Sequence, residues 1–423
     1  MSVGNLTQKM KSAIGGGHLS NTFYRFLIVH ISFLIFTGLP GIYINTFLMN
    51  QSADINVVLV YNILSFMGTA VGMLVSAAIL HRFNSGVVSL IGIICYNFLY
   101  FELILLSTHS ADYVVLLGLT NGIAGAFYWM SYSQLLTDYS DLTNRDSALA
   151  IISIGGAVVN LTIPFISGAV ISAIGGEHGY KVVFILAFVI AVFTAIGMVT
   201  LPKPKRTPTP VQHVATIRHV WQNKCLLFAL LSEWCKGLRE GAFGFILTIL
   251  LYKFIKSELL IGFNTLLASA ASIISFLILS RKVQGKNRLK YMKIAAVSLL
   301  IFSIFHIFTI SPIVLILFTV INSFFSGFIV NSSFSTFLDA IQLVPGSDEK
   351  RPELFAQKEL FLATGRSLGI LFLILINVLT GGSVLWQAIA LAGLSLTQIG
   401  TIFMSKHAMN LIHRIEQQKN AEN

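Results

Sequence analysis

Apolar stretches long enough to cross about 30 Å of hydrocarbon recur from one end of this chain to the other. Twelve can be read, at 23–48, 55–80, 87–107, 113–136, 147–174, 181–201, 225–252, 259–280, 291–310, 312–337, 354–379 and 383–405. A backbone in lipid must satisfy its own N–H and C=O groups, which commits each stretch to helix. The connections are mostly short, so function has to reside in the membrane bundle. Composition agrees, with 55% hydrophobic and only 11% charged residues, where a soluble domain carries about a quarter charged. The expected fold is an all-α integral membrane protein of twelve transmembrane helices.

The net charge of +11 would suit nucleic acid, but its distribution points elsewhere. With alternate loops assigned to one side, Lys9, Lys11, Arg25, Arg82, Arg145, the 203–224 and 281–293 loops, Lys350, Arg351, Lys358 and the tail share the side of both termini. The other side has Lys181, Lys253 and Lys256. Basic residues in short loops stay cytoplasmic, so both termini are expected inside, in a multi-pass plasma membrane protein of bacterial inner-membrane type. The basic excess is then a topology signal that also suits anionic lipid, and no nucleic-acid partner is expected. The first apolar stretch is too long for a signal-peptide core and is expected to remain as a helix. Cys95, Cys225 and Cys235 offer no disulfide framework. No HExxH pattern, clustered His/Asp set or phosphate-binding GxxxxGK[ST] loop occurs, so neither a metal nor another cofactor is expected.

The spans divide six and six about a proline-rich basic segment. The expected organisation is a tail at 1–22, a bundle at 23–201, a cytoplasmic loop at 202–224, a second bundle at 225–405 and a tail at 406–423. Within the loop, IRHVWQNK suits a short surface helix. The halves correspond internally. Ile79-Leu80-His81-Arg82 and Gly86 follow the second span as Ile278-Leu279-Ser280-Arg281 and Gly285 follow the eighth, 199 residues later. Asn121, Phe127 and Asp138 match Asn322, Phe328 and Asp339 at an offset of 201, and Gly175-Gly176 match Gly381-Gly382 at 206. Three matches at equivalent spans argue for two pseudo-symmetric six-helix bundles.

With this plan the chain resembles the major facilitator superfamily of secondary transporters over nearly its whole length. The family's signature after the second span is degenerate here. Ser76 and His81 stand for its first glycine and aspartate, Arg82 is kept, and Asn84 and Ser85 replace the rest. The second copy, from Arg281 to Lys286 with Gly285, keeps its basic character better. The fifth span is similar to the glycine–proline motif of antiporters through Gly156, Pro164, Ser167 and Gly168, with Ile163 where a glycine is expected. The resemblance implies alternating access, conformational roles for Arg82, Arg281, Gly285 and Pro164, and export or exchange in place of uptake. The plainer reading of Pro164 and its glycines is helix bending and close packing.

Glu233, Lys236, Arg239 and Glu240 interrupt the seventh span, LLSEWCKGLREGAFGFILTILL. A charge near the bilayer centre costs roughly 2.5–3.5 kcal/mol on insertion scales, so a space-filling helix would not keep them. Glu233, Lys236 and Glu240 fall within an arc of about 60°, with Arg239 at its edge. The resemblance turns this face toward a central cavity. In the eleventh span Glu359 and Arg366 share one face, with Arg366 near mid-membrane and able to pair with Glu240 or Glu233, while Glu353 and Lys358 read as interfacial. Lys236, Arg239 and Arg366 thus balance Glu233, Glu240 and Glu359. Such a set can exchange partners when a proton or an anion arrives, and the glutamate that loses its cation is the natural proton carrier. The competing interpretation is a neutralised lattice that only fixes helix packing.

The first half offers aromatic residues, Phe127, Tyr128, Trp129 and Tyr132, as packing or as an apolar cavity wall. Glu102 is its one acidic residue within a span, and His30, like His306, reads as a hydrogen-bonded packing residue. The tenth span adds Asn331, Ser332, Ser333 and Ser335. An apolar wall facing a charged one suits an amphiphilic or anionic solute, drug-like, lipid-linked or metabolite. The sequence therefore leads to a proton-coupled, monomeric transporter in contact with membrane lipids. Glu240, Glu233 and Glu359 are its proton candidates, and Arg239, Lys236, Arg366, Tyr128, Trp129, Tyr132 and Asn331 its substrate candidates. A transporter-derived sensor or assembly factor, and an intramembrane enzyme without an identifiable nucleophile, are the alternatives.

Overall fold

The computed structural model describes residues 19–139, 145–202, 210–282, 287–309, 311–344, 346–347 and 349–422. These residues form helices, with no strand among them. The first half holds α1 (Asn21–Gly38), α2 (Tyr43–Ser52), α3 (Ile55–Leu80), α4 (Ser85–Leu106), α5 (Val114–Asp138), α6 (Arg145–Ile174) and α7 (Gly176–Val199). In the linker, α8 (His213–Gln222) begins earlier than the sequence suggests. The second half holds α9 (Lys224–Phe243), α10 (Ile246–Ile255), α11 (Glu258–Lys282), α12 (Arg288–Phe308), α13 (Pro312–Gln342), α14 (Arg351–Leu379) and α15 (Val384–Glu422). Side-chain caps start several of them. Ser20 accepts from the Phe23 N–H, Asp54 from Asn56, Asn84 from Val87 and Asn223 from Leu226.

Ten stretches among the described residues are long and apolar enough to cross a membrane, and one of them, Ser85–Leu136, contains both α4 and α5. The charged α9, continued by α10, brings the crossings to twelve. α8 and the free end of α15 lie at one end of the bundle, here termed the linker face.

Backbone geometry repeats between the halves. Pro40 cannot extend α1, which gives way to α2 at Tyr43, and α9 gives way to α10 between Phe243 and Ile246. Each half thus opens with a broken helix. Both short pieces end on a left-handed residue, Ala53 (φ 53°) and Lys256 (φ 49°), and Gly175-Gly176 and Gly381-Gly382 also have positive φ. Asp138 accepts from the Ser85 hydroxyl at 2.8 Å, and Asp339 pairs with Arg288 at 2.7 Å. In both cases the end of one helix is tied to the start of its neighbour.

The halves meet where α3 packs on α14 and α6 packs on α11. Pro164 lies inside α6 and cannot donate to the carbonyl of Asn160. That carbonyl instead accepts from the Ser269 hydroxyl of α11 at 3.0 Å, while the Pro164 carbonyl accepts from the Tyr43 hydroxyl at 2.7 Å. The proline therefore frees an acceptor that the other half satisfies.

The closest helix contact near the centre joins α9 to α14. Gly237 and Gly241 form a GxxxG step in α9, and Gly365 and Gly369 form another in α14. A Cβ on Gly237 would meet the Leu362 carbonyl at 2.6 Å, and one on Gly365 or Gly369 would strike the backbone carbonyl of Trp234 or Leu238. The backbones are in van der Waals contact, as small-xxx-small steps permit. Arg239 and Glu240 lie inside the first step and Arg366 inside the second. Gly365→Leu should therefore lower the thermal stability of detergent-purified protein, by about 1–3 kcal/mol or more. Gly393→Leu, with no atom within 4 Å of its added Cβ, should leave the melting temperature nearly unchanged.

Candidate functional site

The α9–α14 contact builds a chain of alternating charges. Glu233 accepts from the Lys236 ammonium at 2.6 Å, and the same ammonium lies 4.0 Å from Glu240. Glu240 receives Arg366 at 2.7 Å, Arg366 reaches Glu359 at 4.0 Å, and Glu359 receives Lys358 at 2.6 Å. Three carboxylates thus alternate with three cations across two helices. Of the two partners foreseen for Arg366, the structure selects Glu240.

Three placements differ from the sequence reading. Arg239, at the edge of the charged arc, turns away from the carboxylates into the interior of the second half. Its guanidinium donates to Asn322 Oδ1 at 2.6 Å and to Ser395 Oγ at 3.3 Å, and lies 3.7 Å from the centre of the Phe243 ring. One further step of the helix sweep carries it out of the shared face. Lys358, read as interfacial, is buried and supplies the third cation. Glu353, also read as interfacial, is fully buried and lies 2.8 Å from His81, just past the end of α3, across the halves. Its Oε1 also accepts from the backbone N–H of Gln212 in the linker.

The chain of charges is graded in accessibility. Glu233 is sealed at 0% exposure, with a hydrogen bond from the Ser333 hydroxyl of α13. Glu240, halfway along Lys224–Ile255, keeps 32% of its side chain accessible. Arg366 faces the first bundle, its guanidinium 4.9 Å from the centre of the Phe66 ring of α3. The accessible part of the network is therefore turned toward the junction of the two bundles at mid-depth. α9 ends at Phe243, one turn after Glu240, and the Gly244 N–H caps the Glu240 carbonyl at 3.0 Å. Broken helices of this kind line polar sites in membrane bundles.

The first-bundle residues separate. Tyr128 is buried, with its hydroxyl 2.8 Å from His30 Nδ1, so both belong to the interior of that bundle. Tyr132 stacks on His30 at 4.5 Å, and Trp129 stands edge-on to Tyr132 with 45% of its surface exposed. Asn331 is partly exposed and donates to the Gly327 carbonyl of its own helix. His306 differs from the expected hydrogen-bonded residue: it is buried against Phe318, and neither ring nitrogen has a hydrogen-bond partner among the described residues. Arg82 is exposed at the linker face, Arg281 lies in the last turns of α11, and Gly285 falls outside the described residues.

At the face opposite the linker the halves are joined by a hydroxyl–carboxylate cluster that the sequence reading missed. Glu258, at the start of α11, accepts from Tyr180 of the first half at 2.8 Å and lies 2.9 Å from the Tyr252 hydroxyl. Asn50 reaches both tyrosines, at 3.2 and 2.8 Å, and the Tyr43 hydroxyl touches the Glu258 carbonyl. The only signal for it in sequence was an acidic residue opening an otherwise apolar span.

Residues 26–350 match the Major Facilitator Superfamily. The chain belongs to that family. It is accordingly a transporter and not an enzyme. The uncharacterized protein YqgE of Bacillus subtilis strain 168 is 22% identical over 372 residues, covering 88% of this chain and 86% of its own. An uncharacterized protein from the sodM 3' region of Geobacillus stearothermophilus is 21% identical over 148 residues, 35% of this chain and 69% of its own. Among solved structures, a mutant of the nucleoside transporter NupG superposes with a TM-score of 0.66 at 16% identity, over 91% of this chain and all of that one. The E. coli fucose:proton symporter FucP gives 0.62 at 11% identity, over 92% and 99% of the two chains. The human organic anion transporter MFSD10 gives 0.62 at 15%, over 91% and 97%. At these identities the likeness establishes the fold alone.

Two outcomes follow from the geometry of this major facilitator protein. Removing one member of the Glu240–Arg366 pair strands a charge, so Glu240→Gln or Arg366→Gln should each destabilise the protein by about 3–5 kcal/mol. The double variant should recover much of that loss in a thermal double-mutant cycle. Secondly, Glu258→Gln with Tyr180→Phe should loosen the face opposite the linker. In a background without native cysteines, Phe66→Cys should then react faster with an impermeant maleimide applied from that face.

Proposed function

We propose that this transporter works by alternating access, with its termini in the cytoplasm, and couples proton movement to export or exchange of an amphiphilic or anionic solute. One observation carries the reading: the chain from Glu233 through Lys236, Glu240, Arg366 and Glu359 to Lys358 is charge-balanced and is most exposed at mid-depth, at Glu240. A lattice that only fixed packing would be stabler as apolar side chains and would gain nothing from a partly exposed glutamate whose Oε2 is left without a hydrogen bond among the described residues.

In this reading an anionic group of the solute draws Arg366 or Lys236 away from its carboxylate. Glu240, left without its cation, takes a proton, with Glu359 and Glu233 as reserve acceptors along the same chain. Trp129 and Tyr132 offer the apolar part of the solute a surface on the first bundle, and Asn331 an amide. Arg239 is left out of the binding set because it serves Asn322 and Ser395. The broken α1 and α9, the Pro164 contact, Arg82 and the end of α11 at Arg281 are the elements on which the halves would rock, with Gly285, outside the described residues, as a further candidate. A proton symporter and an organic anion transporter of the same fold support proton coupling and anionic solutes, respectively.

The test is transport in proteoliposomes under an imposed pH gradient, screening amphiphilic anions against neutral sugars and nucleosides. Wild-type protein should accumulate an amphiphilic anion. Glu240→Gln should lose gradient-driven accumulation while retaining solute counterflow, which needs no proton. Undiminished accumulation by Glu240→Gln would refute the proton role. Failure of every solute class to move would favour a transporter-derived sensor.

A further inference from the structure

A cavity of about 660 Å³ opens at the linker face between the start of α12, the end of α13 and the last third of α15. Small-molecule sites commonly fall between about 300 and 1,000 Å³. The cavity lies outside the charge chain and plays no part in the proposed transport cycle. Arg288, Lys406 and His413 are its basic groups. Asp339 is the acidic residue of the lining, and Arg288 engages it at 2.7 Å. Among the described residues no carboxylate lies within ion-pair distance of Lys406. The lining is therefore net positive. Gln342 and Asn410 add two exposed amides, and Leu289, Leu343 and Met409 a partly exposed apolar surface.

The order of these groups along the helix axes decides what fits. On α13, Leu343 lies four residues beyond Asp339, about 6 Å nearer to the water at the linker face. On α15, Met409 lies three residues beyond Lys406, about 4.5 Å farther out, and Asn410 and the exposed His413 follow it. Lys406 and the Arg288–Asp339 pair thus form the inner end of the cavity, while the amides and most of the apolar side chains form its mouth. A phospholipid reaching it from the bilayer would meet these groups in the reverse of the order it needs. A solute arriving from water meets them correctly. Its anionic group enters first, and its body stays at the mouth, where it covers Leu343 and Met409.

We propose that this cavity binds a soluble organic phosphate of nucleotide size. The phosphate sits between Lys406 and the N–H groups of Arg288 that Asp339 leaves unused. A carboxylate has a single fork and would compete with Asp339 for one edge of that guanidinium. A phosphate presents oxygens on several sides and meets both cations at once. The body of the ligand rests on Leu289, Leu343 and Met409. Gln342 and Asn410, each carrying both donor and acceptor, serve its polar edge. Because α12, α13 and α15 all contribute, an occupied cavity would hold three helix ends of the second bundle together. The ligand is then a regulator acting from the linker side, distinct from the transported solute.

Isothermal titration calorimetry of the detergent-purified full-length protein tests this. Adenosine 5′-monophosphate is the probe, with adenosine, inorganic phosphate and phosphatidylglycerol as comparisons. One nucleotide should bind per chain, and adenosine or inorganic phosphate alone should each bind at least about tenfold more weakly. Lys406→Gln and Arg288→Gln should each weaken the nucleotide about tenfold. Met409→Ser should weaken the nucleotide about threefold or more and leave inorganic phosphate unchanged, a split that general structural damage would not produce. Arg218→Gln, on the exposed side of α8 at the same face, should change neither. If Arg288→Gln fails to fold, the exposed Lys406→Gln carries the comparison. Absence of nucleotide binding, or binding undiminished by Lys406→Gln, would overturn the proposal. So would inorganic phosphate matching the nucleotide, which would mark a simple anion site. Displacement of the nucleotide by phosphatidylglycerol would overturn it in favour of a lipid.

Discussion

Backbone contact between α9 and α14 is the constraint from which the polar centre of this protein follows. Four glycines remove the side chains that would hold the helices apart, so each helix meets the carbonyls of the other. At that separation Glu240 and Arg366 reach each other directly, and the pair lengthens into a chain that includes Lys236, Glu233, Glu359 and Lys358. Separate any link and the rest retain charges in a low-dielectric interior without their counterparts, where desolvation costs several kcal/mol per ion. The glycines and the charges therefore act as one device: close packing makes the ion pairs possible, and the ion pairs make the charged helix tolerable in the membrane.

This device stands between two different kinds of cross-bundle contact. At the face opposite the linker, Glu258 gathers hydroxyls from both halves and its carbonyl meets the Tyr43 hydroxyl, and nearer mid-depth Ser269 binds the Asn160 carbonyl that Pro164 leaves free. At the linker face, Glu353 joins His81 and the backbone of Gln212, so the linker itself takes part in holding the halves. The contacts on either side of the centre are hydrogen bonds and single ion pairs, which can be exchanged for water when the halves part. The interior of the second half is itself partly polar, with Arg239 held by Asn322 and Ser395. The contacts between the bundles are thus of the exchangeable kind that a rocking mechanism requires.

Much of this was legible in sequence because the bilayer enforces it. Span length, the six-plus-six division and the cost of Glu233, Lys236 and Glu240 all follow from transfer energetics along a single helix. What escaped was information held between helices. Arg239 is only one step round the helix from Lys236, yet that step turns it to Asn322 and Ser395. Lys358 was read as interfacial from its distance along α14, whereas its neighbour Glu359 draws it into the network. Glu258 and His81 acquire meaning only through partners some 78 and 272 residues away. The GxxxG steps at Gly237–Gly241 and Gly365–Gly369 were the one overlooked local signal, and their spacing alone is enough to suggest that α9 pairs with α14.

In the proposed cycle Glu240 exchanges Arg366 for a proton within a functional chamber. Attenuated total reflectance infrared difference spectroscopy on reconstituted protein, stepped between acidic and alkaline buffer, observes the carboxyl C=O stretch directly. A reversible band from a protonated carboxyl is expected, one that Glu240→Gln removes and that the anionic substrate perturbs. A spectrum with no such band, or a band unaffected by Glu240→Gln, would contradict that cycle and return the charge chain to a purely structural role.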